Sequence, residues 1–587
     1  MSLFTESSLC LVPSGVKDGK VYSIKPTDGS GDLTFSRGSD IEATRVAANG
    51  YIEKAKVNLA IQSNSFSTSW STTNATLTSG QSGYDGSSDA WSLNGSGSNA
   101  RVDISNTSSG VLTFSVYAKA GTSDFLRLRI DYGAASYNRY FDLSTGTLGS
   151  ALYAPLDSKI QSVGSGWYRC SITFSESIST LRIYVADVDL GGSASGNIYI
   201  QDAQLNYGLV AQEYQETTTT SVVAGITNDM PRLDYSGGAS CPSLLLEPSR
   251  QNLFPQSEWS GGWTIENATA DYNNATSPEG VQNAVLLTAN GGNQDHTTYV
   301  ETTSLSPNTY SYSVFIKKGT QRYVHLTLNE RFVDSSWITA TFDLDELTSA
   351  DHSSGTGYVD GTSDIIDYGN DWYRLQMTGA LVNTTTYLVF VGWANGLGAP
   401  NTSRGRYNVT TSNTFYAYGA QLEVGSYPTS YIPTYGTSAT RTVDACSKTG
   451  ISSVFNDSEG VFFAEMSALD DSGTKVITIS DGTTSNRVQL YYFGNVIRGS
   501  VAGQAVISHT ITPTDTIKVA FKYKVNDFAL WVDGVEVGTD TLGSAPSGLN
   551  KISFDNGASS SFFEGNIKQL IYFPTALSDS DLATLTA

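Results

Sequence analysis

The sequence predicts an all-β protein: tandem jelly-roll or β-sandwich domains behind a small N-terminal region. Three observations carry this. Apolar and polar residues alternate in many short runs, as in GWYRCSITF (166–174), where Tyr168, Cys170, Ile172 and Phe174 share one face. Period two over such a length marks a half-buried strand. Clusters of Gly, Asn, Asp and Ser separate the runs, as turns require. Finally, a whole block recurs: GWYRCSIT (166–173) returns as DWYRLQMT (371–378).

The repeat extends well beyond that phrase. TFSVYAKAGTSDFLRLRI (113–130) matches SYSVFIKKGTQRYVHLTL (311–328), FDLSTG (141–146) answers FDLDEL (342–347), and YIQDAQLNYG (199–208) answers YAYGAQLEVG (416–425). Asn58-Leu59 and Asn252-Leu253 open the two units. The offset grows from 194 (58 to 252) to 217 (208 to 425), so the second unit has longer loops. Two copies of one domain are expected, at 56–214 and 250–433. A scaffold repeats more faithfully than a site, so Trp167/Trp372 and Arg169/Arg374 read as structural.

The remaining segments follow in order. Residues 1–55 are more polar and hold two or three short strands within DLTFSRGSDIEATRVAANGYIE (32–53). Residues 215–249 form a bridge whose Thr run reads as extended linker. Residues 434–587 predict a third β-sandwich, with strands in GVFFAEMSAL, NRVQLYYFG, TIKVAFKYKV and DFALWVDGVEVG. Asp533-Gly534 suggests a tight hairpin turn. A short helix at the end takes Ser578 as its N-cap, with Asp581 three residues on.

Charged residues make up 15 % of the 587, against roughly 25 % in an average chain. The net charge of −22 and the absence of a Lys/Arg run exclude a nucleic-acid partner. Cys10, Cys170, Cys241 and Cys446 lie far apart without a CxxC, so neither a disulfide framework nor a zinc site is expected. The N-terminus lacks the basic and apolar regions of a signal peptide. No run approaches the ~18–20 apolar residues of a membrane span.

The chemistry-bearing residues are sparse. A glycosidase needs paired carboxylates, and the E-x-D-x-x-E arrangement common on strands of such sandwiches is absent. Glu465, Asp470 and Asp471 have the wrong spacing. His296, His325, His352 and His509 sit in no catalytic motif. The expectation is therefore a protein that is not an enzyme and has no cofactor. A structural Ca²⁺ is the one alternative, offered by the Asp-rich loops DVDLGG (187–192) and YVDGTSD (358–364). Sugar binding asks for flat aromatic faces and neutral hydrogen-bonding groups. Aromatic residues outside the repeat match are the candidates: Trp337, Trp393 and Arg331 in the second copy, with Trp259 and Trp263 near its start.

DLTFSRGSDIEATRVAANGYIE, PRLDYSGGASCPSLLLEPSRQNLFPQSEW and GAQLEVGSYPTSYIPTYGTSATRTVD resemble recurring phrases of tailed-bacteriophage fibre and virion-decoration proteins. In that family such phrases flank carbohydrate-binding-module-like jelly rolls. The part after 445 resembles concanavalin A-like, laminin-G-like domains, by strand pattern. The resemblance implies a virion fibre or spike with its N-terminal part docked on other virion proteins. It also implies adhesion to host-surface or environmental glycans, a homo-oligomer taken here as a trimer, and release from the host cytoplasm by lysis. The alternatives are a purely structural virion component and a polysaccharide depolymerase. One departure matters. In the family the ATR…GYIE phrase runs directly into PRLDY…LLLEP, whereas here the first jelly roll intervenes. Segments 30–55 and 222–250 are therefore expected to pack together, with 56–214 inserted.

Overall fold

The alternation seen in the sequence becomes paired antiparallel strands throughout. The structure, a computed structural model, describes residues 3–17, 19–501 and 505–587. In the first repeat, two six-stranded sheets face each other. One runs Asp157–Gly164, Trp167–Ser177, Ser109–Ala120, Asn197–Tyr207, Ala90–Gly95, Ala75–Gln81. The other runs Thr147–Leu152, Ala135–Asp142, Phe125–Tyr132, Thr180–Ala186, Arg101–Ser105, Ser71–Thr73. Leu126, Leu128, Ile130, Cys170, Ile172 and Phe174 meet in the core between them.

The second repeat reproduces this order strand for strand. Tyr358–Asp367, Trp372–Leu381, Asn308–Lys318, Thr414–Val424, Gln282–Ala289 and Ala268–Thr276 form the first sheet. Thr348–Ser354, Trp337–Asp343, Tyr323–Glu330, Tyr387–Trp393, Thr297–Glu301 and Thr264–Glu266 form the second. Even an irregularity is shared. The register slips between Ser115 and Tyr117 in one copy and between Ser313 and Phe315 in the other. Across the slip stand Asp202 (φ 54°) and Gly419 (φ 59°). A bulge residue in this left-handed region favours glycine, so the first copy carries an aspartate where backbone freedom asks for none.

The third sandwich differs from the expected division in an instructive way. Its sheets recruit strands from residues 1–55 and 215–249. Leu9–Leu11 and Ser243–Leu246 pair with successive parts of Gly565–Phe573. Leu33–Ser36 pairs with Ala445–Thr449. Leu9, Leu11, Leu33, Phe35, Leu244 and Leu246 share one core with Phe462, Phe521 and Leu530. So the strands at 9–11 and 33–36 do not form a domain of their own: strands of three or four residues cannot bury their apolar side chains alone, and these complete the C-terminal sheets. Asp533 and Gly534, both at positive φ, turn Val532 onto Val535 as a tight hairpin. Asp581 N–H donates to the Ser578 side chain, capping the helix Asp579–Thr586.

Segments 30–55 and 222–250 do touch. Just past the first segment, Lys56–Asn58 pairs with Val222–Ala224. Arg37 Nη2 donates to the Thr227 carbonyl at 2.6 Å, and Val46 N–H to Asp234 Oδ1 at 2.8 Å. The chain leaves for the first sandwich at Asn58 and returns opposite it, at Val222.

Candidate functional site

The twice-written Trp-Tyr-Arg phrase resolves into scaffold. Trp167 and Trp372 are both buried. Arg169 Nη2 donates to Ser115 Oγ at 3.2 Å and lies 5.2 Å over the Tyr117 ring. Arg374 donates to Ser313 Oγ through Nε (3.2 Å) and Nη2 (2.9 Å) and lies 5.3 Å over Phe315. The opening asparagines also do one job. Asn58 Nδ2 donates to the Ala203 and Gln215 carbonyls, and its Oδ1 accepts from Ala60 and Leu205 N–H. Asn252 Nδ2 donates to Ala420 and Ile432, and its Oδ1 accepts from Phe254 and Leu422.

The tryptophans picked out as sugar platforms are placed in cores. Trp259 and Trp263 stack at 4.2 Å and donate to Thr298 Oγ1 and the Gln256 carbonyl. Trp263 has a counterpart after all: Trp70 donates to the Gln62 carbonyl at the same 3.0 Å, with Phe66 edge-on to it at 5.1 Å where Trp259 stacks on Trp263. Trp393 is fully buried and donates to the Asn413 carbonyl. Trp337 lies under the loop at Gly405, where an added Cβ would come within 2.6 Å of its ring. A sugar needs an exposed ring face, and these four offer none; their positions are corrected to packing. Arg331 alone reaches solvent, bridging to Glu301 at 3.2 Å beside the exposed Phe332.

What the sequence did not suggest is a buried charge network built from the recurring phrases. Arg232 of PRLDY pairs with Glu247 of LLLEP and with Asp444 of ATRTVD. Arg441 joins Glu247 at 2.6 Å, and Arg37 joins Asp444 at 3.4 Å. Ser430, from the TSYIPTYG phrase, donates its N–H (2.7 Å) and hydroxyl (2.6 Å) to Glu247. Burial alone would raise the Glu247 pKa. Arg441, Arg232 and the two Ser430 bonds outweigh it and hold the carboxyl at about 2. Beside this network, Lys54 bridges Glu258 (3.2 Å) and Glu279 (2.6 Å).

Above this hub opens a cleft of about 620 Å³. The second repeat supplies Asp367, Tyr368, Asn370 and Arg374; the hub supplies Arg45, Asn49, Asp234, Tyr235, Glu247 and Ser430; Leu469 and Asn566 come from the third sandwich. The back wall is chemically saturated: Glu247 is held as above, and Arg374 Nη1 donates to the Thr429 carbonyl at 2.8 Å. The mouth differs. Asn49, Asp367 and Asn370 are exposed, and Tyr235 and Tyr368 are half-buried, Tyr368 with its ring 4.9 Å from that of Phe315. Two tyrosines among amides and a carboxylate suit a polyhydroxylated ligand, and a junction of domains is a common place for such a pocket.

The two repeats present different outer faces on their second sheets. In the second repeat the Gly405 carbonyl accepts from Thr327 (3.1 Å) and Thr339 (2.7 Å), so the loop closes over the sheet. His325 beneath it is fully buried, and burial followed by the nearby Arg406 pushes its pKa down to about 3, leaving it neutral. In the first repeat the loop is shorter. Asp187 is taken up by Ser123 and Ser195, and Asp189 by Ser150. Among the described residues no group of three or more His, Cys, Asp or Glu is arranged to hold a metal ion.

No protein-family model and no curated protein matches the sequence. Solved structures do match. The CBM22-1–CBM22-2 tandem domain of Paenibacillus barcinonensis Xyn10C is 12 % identical, covering 66 % of this chain and 100 % of that chain, at a TM-score of 0.21. Mouse laminin α1 domains LG4-5 are 9 % identical over 57 % of this chain and 95 % of that chain, at 0.17. Trypanosoma rangeli sialidase is 11 % identical over 94 % of this chain and 98 % of that chain, at 0.20. The fold rests on the strand order itself, not on these matches. They do correct one expectation: an enzyme stands among the matched structures, so the exclusion of enzymatic activity drawn from carboxylate spacing is withdrawn.

Proposed function

We propose that this chain is a bacteriophage virion protein, a head or tail fibre or spike, that holds host-surface or environmental glycans. The observation that carries the glycan reading is the cleft above the hub. Its mouth offers two half-buried tyrosines beside Asn49, Asn370 and Asp367, while its back wall has spent its hydrogen bonds internally. Such a site binds a sugar unit weakly, and oligomerisation amplifies weak sites through effective concentration. A homo-oligomer, with a trimer as the working state, therefore belongs to the proposal. The virion role rests on the recurring phrases and on a sparsely charged, polar β-surface. Docking to other virion proteins would fall to the body that joins residues 3–36 to the C-terminal sandwich. The protein would be made in the host cytoplasm and leave by lysis.

The test is a glycan array probed with the intact protein and with Tyr235→Ala and Asn370→Ala. Binding to a restricted glycan set, weakened about tenfold or more by each variant (~1.4 kcal/mol), is the expected result. No binding by a folded, oligomeric protein, or binding indifferent to both variants, would remove the cleft from the reading.

A further inference from the structure

A second surface carries an inference independent of the cleft. On the outer face of the first repeat's second sheet, strand register lines up polar side chains in rows. Arg101, Tyr184, Arg127 and Tyr140 lie side by side across four strands. The next row holds Asp103, Arg182, Arg129 and Asn138. Behind it come Ser105, Thr180, Asp131 and Ser136. With strands about 4.8 Å apart, the rows span about 14 Å.

The charge on this face does not balance. Asp103 pairs with Arg101 at 2.7 Å. Asp131 serves both Arg129 (2.6 Å) and Arg182 (2.7 Å). Arg127 is left over. Its Nη1 donates to the Tyr140 hydroxyl at 3.0 Å, its Nε and Nη2 have no partner, and the guanidinium lies 3.7 Å from the Tyr184 ring centroid. Four guanidiniums thus face two carboxylates in a chain whose net charge is −22. Arg101, Arg129 and Arg182 stay partly exposed.

The fold does not require these arginines. At the same register positions the second repeat has Thr297, Gly392, His325 and Thr341, then Tyr299, Phe390, Thr327 and Thr339. There a loop covers the sheet. The loop's Arg406 reaches Phe390 and is neutralised by Glu266 (2.8 Å) and Asp295 (2.7 Å). The same scaffold is therefore sealed and neutral in one copy, and in the other keeps three arginines partly exposed beside the buried, unpaired Arg127.

We infer that the Arg101–Arg182–Arg129 face of the first repeat is a binding site for an anionic saccharide. Guanidiniums in a fixed array match carboxylate and sulfate oxygens with paired N–H bonds. Carboxylated and sulfated sugars share the recognised chemistry, and the test separates them.

The experiment is calorimetric titration of the intact protein with a galacturonic acid oligomer, a sulfated dextran oligomer, neutral dextran and a single-stranded DNA oligomer. Binding of one or both anionic oligomers and not of neutral dextran is expected, falling with added salt as exposed charges are screened. Arg182→Gln and Arg129→Gln should each weaken it about tenfold. Arg129→Lys should retain part of it, and Arg331→Gln on the other repeat should leave it unchanged. Far-UV circular dichroism and thermal melting of each variant separate lost binding from lost fold. Equal binding of neutral dextran, binding unmoved by Arg182→Gln and Arg129→Gln, binding of DNA as tight as that of the sugars, or no binding of either anion would each overturn the inference. Tyr235→Ala should leave this binding intact, so failure here and failure of the cleft are distinguishable.

Discussion

The first and second sandwiches share an interior and differ in what they show to solvent. Inside, the correspondence goes down to single hydrogen bonds. Ser63 contacts the Tyr214 hydroxyl at 2.6 Å, and Ser257 contacts the Tyr431 hydroxyl at 2.7 Å. Ser63 N–H and Ser257 N–H donate to Thr217 and Thr434. Outside, one copy has a paired and surplus set of arginines where the other has a threonine-rich sheet under a loop. Buried polar groups must all be satisfied at once, and few substitutions manage that. An outer sheet face carries no such constraint, so recognition has room to diverge there.

Several substitutions would break or sharpen this contrast. Arg232→Met is expected to cost most, about 3–5 kcal/mol, because it leaves Glu247 and Asp444 buried with too little positive charge. Urea unfolding should show the loss, and a change under about 1 kcal/mol would mean the network is not structural. Trp393→Ala should cost about 3–5 kcal/mol by opening a cavity in the second core. Glycan binding by the protein that remains folded should be unchanged, since the indole is sealed from solvent. Asn58→Ala and Asn252→Ala should each cost about 2–3 kcal/mol and agree within about 1 kcal/mol, as both strand buried backbone partners in the same way. A large mismatch would show that equal geometry hides unequal energetics.

The smallest and most informative change is Asp202→Gly, which gives the first repeat the residue of the second. Burial, then the neighbouring Asp89 and Asp85, push Asp202 up to about 7 despite bonds from Tyr84 and Tyr214. Against an unfolded value of about 3.9, a raised carboxyl favours folding fully below that value, and the contribution is lost as pH rises through the folded pKa. The variant should therefore gain about 1–2 kcal/mol above the Asp202 pKa, where the ionised carboxylate is costly and the φ favours glycine. The gain should shrink on acidification, and thermal melts at several pH values would show it. A gain independent of pH would assign the whole effect to backbone strain.

Much of the fold was legible because strands write themselves in period two and because the domain is written twice. The phrase SVYAKAG…LRLRI needed only its copy to become a strand pair. The N-terminal strands were not legible as part of the third sandwich. Leu9–Leu11 is too short for a period, and its partner lies more than five hundred residues on. The hub was hidden for a similar reason: Arg232, Glu247 and Asp444 carry no local spacing, and only folding brings them together. Trp259 and Trp263 were misread because WSGGW and FSTSW differ in their first ring. The shared four-residue aromatic spacing was the available signal. The arginine face was also signalled, since Arg127 and Arg129 alternate with Leu126, Leu128 and Ile130 and so point away from the core.

The most direct measurement is hydrogen–deuterium exchange on the intact protein with and without a glycan selected from the array. Glycan binding in the cleft predicts slowed exchange at 44–52, 234–238 and 366–370, the segments that form its walls and mouth. Protection confined to the third sandwich or to the exposed loop at Phe332, with those three segments unchanged, would contradict it.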